Sequence, residues 1–167
     1  MYTIEVNVKD IRDTIDRLIA QEKDHTPILR GLGGVLHAAI ARGFENEEDP
    51  ATGEKWAALS PVTLLRRANA GHTGKILQVQ GDLAGSFTRA VNAHSVVVGT
   101  GKKYATTMHF GAKQGEFGKT KRGGPIPWGD IPARPILPVD EQGRINAEDE
   151  AEILGVIEKA VKGIFGA

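Results

Sequence analysis

Phe44-Glu45-Asn46-Glu47-Glu48-Asp49-Pro50-Ala51-Thr52-Gly53-Glu54-Lys55-Trp56-Ala57-Ala58-Leu59-Ser60-Pro61 carries a helix end, a loop, an anchor and a helix start in one run. Asp49 to Gly53 has the composition of a turn: an aspartate that can bond its own backbone, a proline, and a glycine free to take positive φ. Trp56 follows at once, among Ala57, Ala58 and Leu59, and reads as the side chain that pins this loop to the core. Ser60-Pro61 is an N-cap followed by proline at the first helical position, opening a short basic helix through Arg66 and Arg67 that closes near Gly71. Upstream, Thr26-Pro27 gives the same signal, with Thr26 as the cap. Leu29, Leu32, Leu36, Ile40 and Phe44 then hold helical spacing to about Glu47. Gly31, Gly33 and Gly34 fall inside that helix, each at a cost of roughly 1 kcal/mol relative to alanine. Either they admit a closely packed neighbour or the helix begins later.

Outward from this block, Ile4, Val6 and Val8 alternate with polar residues as in a half-buried strand. Asp10 then caps a helix with Ile11, Ile15, Leu18 and Ile19 on one face. Asp82 is placed to cap one further turn, putting Leu83 and Phe87 on the same side. From Phe87 to Thr100 the residues turn β-branched, as in a hairpin bending near Asn92-Ala93-His94. Tyr104 to Phe110 reads as a helix. Gly111 to Asp130 is rich in glycine, lysine and proline and lacks apolar periodicity, so a mobile loop is expected. Ile131 to Val139 contains Pro132, Pro135 and Pro138, which restricts it to an edge strand or an extended arm. A last helix begins at Asn146 or Ala147. Glu148, Asp149, Glu150 and Glu152 lie in its first turns and Lys159 and Lys162 near its end, matching the helix dipole. Ile153, Leu154, Ile157, Val161, Ile164 and Phe165 are its expected buried face. The sum is a single α+β domain over 1–167, several helices packed on a small, mainly antiparallel sheet.

The 167 residues suffice to bury a core. Lysine and arginine number 21, as do aspartate and glutamate, so the overall balance argues against nucleic acid or an anionic membrane as partner. Cysteine is absent, which removes disulfide and thiolate chemistry. No apolar run approaches the ~20 residues needed to span a bilayer, and the amino terminus lacks the regions of a secretory signal. Gly118-Lys119-Thr120 is like the end of a phosphate-binding loop, but Lys113 stands where the earlier glycine belongs and no apolar strand precedes it. The five histidines show no metal-ligand spacing, and neither Ser60 nor Ser86 sits in a nucleophile turn. No catalytic residues, metal ligands or cofactor are expected. The basic cluster Lys113, Lys119, Lys121 and Arg122 admits three readings: a solvated loop, a nucleic-acid contact, or an interface that orders on assembly.

Four blocks resemble one known family, in order. Phe44 with Asp49-Pro50…Gly53…Trp56…Leu59 is similar to its Phe…Asp-Pro-x-Gly-x-x-Trp-x-x-Leu motif, with one extra loop residue. Lys75-Ile76-Leu77 to Gly81-Asp82-Leu83…Ser86 is the second block. Gly99 and Tyr104-Ala105 before Phe110-Gly111 form the third, with Met108-His109 where the family has His-Gln. Ile131-Pro132-Ala133-Arg134-Pro135 is the fourth, with Ile136 where an aromatic is usual. On these, the chain is identified as resembling the phage virion morphogenesis (tail completion) family of Mu-like and related phages and prophages. The resemblance implies a structural, non-enzymatic protein of the head–tail region, active in tail completion or head–tail joining. The implied partners are other copies of itself, in a ring that is commonly six-fold, and other phage head or tail proteins. The implied location is the host cytoplasm during assembly and then the virion. Interface candidates are Arg134, Ile131, Pro132, Pro135, Lys119, Lys121 and Arg122, with Arg134 foremost as a charge-paired contact, either within the fold or across a subunit boundary. Structural anchors are Trp56, Phe44 and Tyr104. The alternative function is a nucleic-acid-binding module using the basic loop from Lys113 to Arg122.

Overall fold

The computed structural model describes residues 25–72, 74–140 and 142–165. The expected strand over Ile4 to Val8 and helix after Asp10 lie outside these residues. The side chains of residues 163–165 are likewise outside the description, and with them the burial expected of Ile164 and Phe165. The described elements are α1 (Thr26–Asn46), α2 (Pro61–Asn69), a 3-10 turn (Ala84–Ser86), β1 (Phe87–Val91), β2 (Val96–Thr100), α3 (Ala105–Phe110) and α4 (Ala147–Phe165). Four helices and a two-stranded antiparallel sheet make one α+β domain, as the sequence implies.

α1 is the spine. It packs on α4 and on both strands, and its buried stripe is Gly33, Val35, Ala39, Ile40, Gly43 and Phe44. The glycines are there for packing: a Cβ on Gly31 would stand 2.6 Å from Val156 of α4, and one on Gly33 would stand 2.6 Å from Val96 of β2. The helix therefore runs its full length, and glycine lets two neighbours sit against it. Its N-cap is His25 rather than Thr26. The His25 side chain makes no cap bond, and its carbonyl accepts from Leu29 N at 3.0 Å. At the other end Glu47 turns left-handed (φ 56), and Glu48 N donates to Gly43 O at 3.0 Å.

The Asp49 loop closes on itself. Asp49 Oδ1 accepts from Ala51 N at 2.8 Å and Asp49 O from Gly53 N at 2.8 Å. Trp56 N then donates to Glu47 O at 2.9 Å, which returns the chain to the end of α1. Ser60 caps α2 as its position implies, its Oγ accepting from Thr63 N at 3.2 Å. Asp82 does not cap the next turn. Leu83 takes the N-cap place without a side-chain bond, and Leu83 and Phe87 both enter the core.

β1 and β2 pair from Phe87↔Thr100 to Val91↔Val96. Asn92 makes the bend: its Oδ1 accepts from His94 N and Ser95 N, both at 2.8 Å. The core joins Ile40, Phe44, Trp56, Leu83, Phe87 and Ile136. Phe44 stands edge-on to Trp56, ring centres 5.5 Å apart, and meets Phe87 at 6.0 Å. Leu154, expected on the buried face of α4, is 58% exposed; α4 instead turns Val156 toward α1.

Candidate assembly interface

The segment 111–130 leaves the domain as a finger. At its base Ala112 and Ile131 exchange backbone bonds, Ala112 N to Ile131 O at 2.9 Å and Ile131 N to Ala112 O at 2.8 Å. Further out, Gly115 N donates to Pro127 O, Phe117 N to Ile126 O and Ile126 N to Gly118 O, while Thr120 N meets Gly124 O at the tip. Asp130 is tied to the opposite arm by Gln114 N at 2.9 Å and Lys113 Nζ at 3.2 Å. These bonds, the Gln114 amide first, hold its carboxyl below the usual range. The finger thus closes by backbone pairing and buries little: Phe117 is 53% exposed and Trp128 76%. Lys119, Lys121 and Arg122 are exposed at the tip and have no ion-pair partner among the described residues.

Gly111 starts the finger with φ 76, ψ −175, a conformation close to glycine-only. A Cβ there would lie 2.6 Å from Ile131 O and 2.8 Å from Ala133 N, because the chain returning from the finger crosses directly over it.

That returning chain, residues 131–139, is a strap and not an edge strand. Beyond the single bridge at Ile131 it joins no ladder, since Pro132, Pro135 and Pro138 offer no N–H. It is held instead by side chains. Trp56 Nε1 donates to Pro135 O at 2.8 Å, and Arg134 returns the exchange, giving Nε and a terminal nitrogen to Ala57 O at 3.1 and 2.8 Å. Arg134 N donates to Met108 O at 2.8 Å, and Ile136 N to His109 Nδ1 at 2.9 Å.

Arg134 is therefore 5% exposed and bonded to carbonyls; no carboxylate pairs with it among the described residues. Desolvation lowers its pKa from the ordinary arginine value, and the guanidinium keeps its charge. Within the subunit a carbonyl clamp stands in place of a charge pair. Ile131 and Pro135 are half-buried, and of the strap candidates only Pro132 is exposed. Of the anchor candidates, Trp56 (6% exposed) and Phe44 (3%) lie in the core, while Tyr104 is 44% exposed at the start of α3. Apart from exposed Pro132 and Tyr104, the sequence candidates divide into an interior group around Trp56 and Arg134 and an outer group at the finger tip.

Two features lie beyond those candidates. Asp149 is fully buried and takes a bond from Arg42, joining the start of α4 to α1. Asn146 caps α4 by accepting from Asp149 N, and donates to Asp149 Oδ2 and Pro50 O. The other is α2, which has Val62, Leu64 and Leu65 in solvent. Among the described residues no group of three or more histidines and acids is placed to hold a metal, and no helix is long and apolar enough to cross a membrane.

The profile of the phage virion morphogenesis family matches residues 6–162. Protein G of Escherichia phage Mu, by name a candidate capsid assembly protein, is 33% identical over 159 residues, 95% of this chain and 92% of its own. The Mu-like prophage FluMu G protein 2 of Haemophilus influenzae is 31% identical over 155 residues, covering 92% of this chain and 91% of its own. FluMu G protein 1 from the same bacterium is 32% identical over 127 residues, 75% of each. No solved structure matches significantly. The match runs across nearly the whole described fold, from the spine helix to α4, and the chain belongs to the phage virion morphogenesis family.

Proposed function

We propose that this chain is a structural subunit of a phage virion. In this reading it acts at the head–tail region, in tail completion or head–tail joining, by protein contacts and not by catalysis. The capsid-assembly name of the Mu relative supports the broad role. The observation that carries the finer reading is the finger, which exposes Phe117, Trp128, Lys119, Lys121 and Arg122, the three cations without an ion-pair partner among the described residues. Large aromatics and arginine, left in solvent on a backbone-closed projection, are the residue types that dominate protein interfaces. Self-association into a ring, six-fold in the family expectation, suits one domain with an interface repeated by rotation. Such a subunit is made and assembled in the host cytoplasm and ends in the virion.

A second reading has the same finger stack on bases and touch phosphate, since Phe117 and Trp128 flank the basic run Lys119, Lys121 and Arg122 in sequence. The test is a Phe117→Ala, Trp128→Ala double variant supplied in place of the natural chain during phage growth. The assembly reading expects a folded protein and a loss of infectious particles, with heads and tails accumulating apart. Normal particle yield contradicts it. Binding of the purified chain to DNA that weakens steeply with salt, and is lost in the variant, favours the nucleic-acid reading instead.

A further inference from the structure

α2 is a helix that its own subunit does not explain. It is nine residues long and none of them is buried. Val62 is 59% exposed, Leu64 54% and Leu65 63%. Helices shorter than ~12–15 residues are marginal in water on propensity alone and depend on packing of an apolar face. Here the Ser60 cap and the reach of Arg67 to Gly74 O (2.6 Å) and Lys75 O (3.0 Å) hold the helix in position. Neither covers its outer stripe. Val62, Leu65, Arg66 and Asn69 follow at helical spacing, an apolar pair bordered by a cation.

The counterpart is on the same chain. α4 packs one side on α1 and leaves Glu150, Ala151, Leu154 and Glu158 exposed at helical spacing on the other. Leu154, 58% exposed, sits between two glutamates one turn away on either side. The charges are segregated to match. On α2 Arg66 is exposed without an ion-pair partner among the described residues, and on α4 so are Glu148, Glu150 and Glu152; Asp149 is buried against Arg42, and Glu158 pairs with Lys162. Yet the whole chain is formally neutral. α2 and α4 make no extended contact within the subunit.

We propose that α2 of one copy docks on the outer face of α4 of the next, with Leu65 and Val62 against Leu154 and Ala151, and Arg66 near Glu150. Two different patches meet, so the contact is head-to-tail. It propagates from copy to copy and closes into a ring if the rotation allows. This rests on the assembly reading only in supplying the repeated contact that a multi-copy collar needs.

The absence of cysteine makes the test clean. Leu65→Cys and Leu154→Cys are made as separate single variants, both at exposed positions where the fold is retained. They are mixed at high concentration under a mild oxidant. The proposal expects disulfide-linked dimers containing one chain of each kind, severalfold in excess of either like pair. An excess of 65–65 pairs, or no linked species, overturns it. Thiols shielded from labelling in a monomeric protein also overturn it, since the faces are then covered within one subunit. As an independent arm, Arg66→Glu and Glu150→Arg should each weaken self-association severalfold, and the two together should restore it. A double variant no better than the singles counts against the pairing. Variants that fail to cross-link yet enter virions remove this contact and leave the assembly reading standing; cross-linking by a chain absent from virions does the reverse.

Discussion

Arg134 and Trp56 hold the domain together at one crossing. Each donates to a carbonyl beside the other, so the strap and the post-loop segment are bound by reciprocal bonds. Removing the indole leaves a cavity against Phe44 and an unmet Pro135 carbonyl, and Trp56→Ala should cost roughly 3–5 kcal/mol in urea unfolding. Arg134→Ala leaves the Ala57 carbonyl without its donors and should cost roughly 2–4 kcal/mol, with Arg134→Lys recovering only part because an ammonium lacks the planar fork. Near-natural unfolding midpoints in both alanine variants would refute this picture of the crossing. His109 adds a pH dependence. Its Nδ1 accepts from Ile136 N, which requires that nitrogen to be unprotonated, and desolvation, partly offset by Asp49, holds its pKa below 6.5. The unfolded chain then takes up a proton first as pH falls. The stability it contributes is full above about 6.5 and is lost as pH drops toward the folded value. Urea midpoints should fall between about pH 7.5 and about pH 5.5, and fall less in His109→Gln. An equal decline in both proteins would remove His109 from the cause.

At the scale of elements, the finger and the strap show where sequence reading stops. Proline content identifies the strap as extended, but an edge strand also needs a neighbour with a free ladder, and Ile131 alone finds one. Ser60-Pro61 could be read directly because a cap is decided within four residues. Arg134 could not, because its acceptor lies 77 residues away and is a backbone carbonyl, which no residue type announces. Asp149 looked like one of several first-turn acids; its partner Arg42 is 107 residues distant. Tyr104 fits the family block, yet at the start of α3 its ring meets solvent. The finger lacked any apolar pattern because its closure is made by backbone groups. Such a closure, with few buried side chains, opens locally at a free energy well below that of global unfolding. Hydrogen exchange on the free protein should therefore show the amides of Phe117 and Ile126 exchanging much faster than those of α1 around Ile40. Protection equal to the core would mean the finger is already rigid, and ordering on assembly would lose its basis.

At the scale of the whole molecule, the fold class and the family could both be read in the sequence, since helical spacing, β-branched runs and four ordered motifs are local. The surface could not, because exposure at Leu65, Leu154 and Trp128 depends on which faces the core leaves over. What remains over is a neutral chain with a basic, aromatic finger, a basic apolar helix and an acidic helix face. Those are features of a part that fits against other parts. The most direct measurement is immunogold electron microscopy of purified virions and assembly intermediates, using an antibody to this chain. Label in multiple copies at the junction of head and tail is the result expected. Virions and intermediates that carry none of the chain, while growth still depends on it, would contradict a structural role.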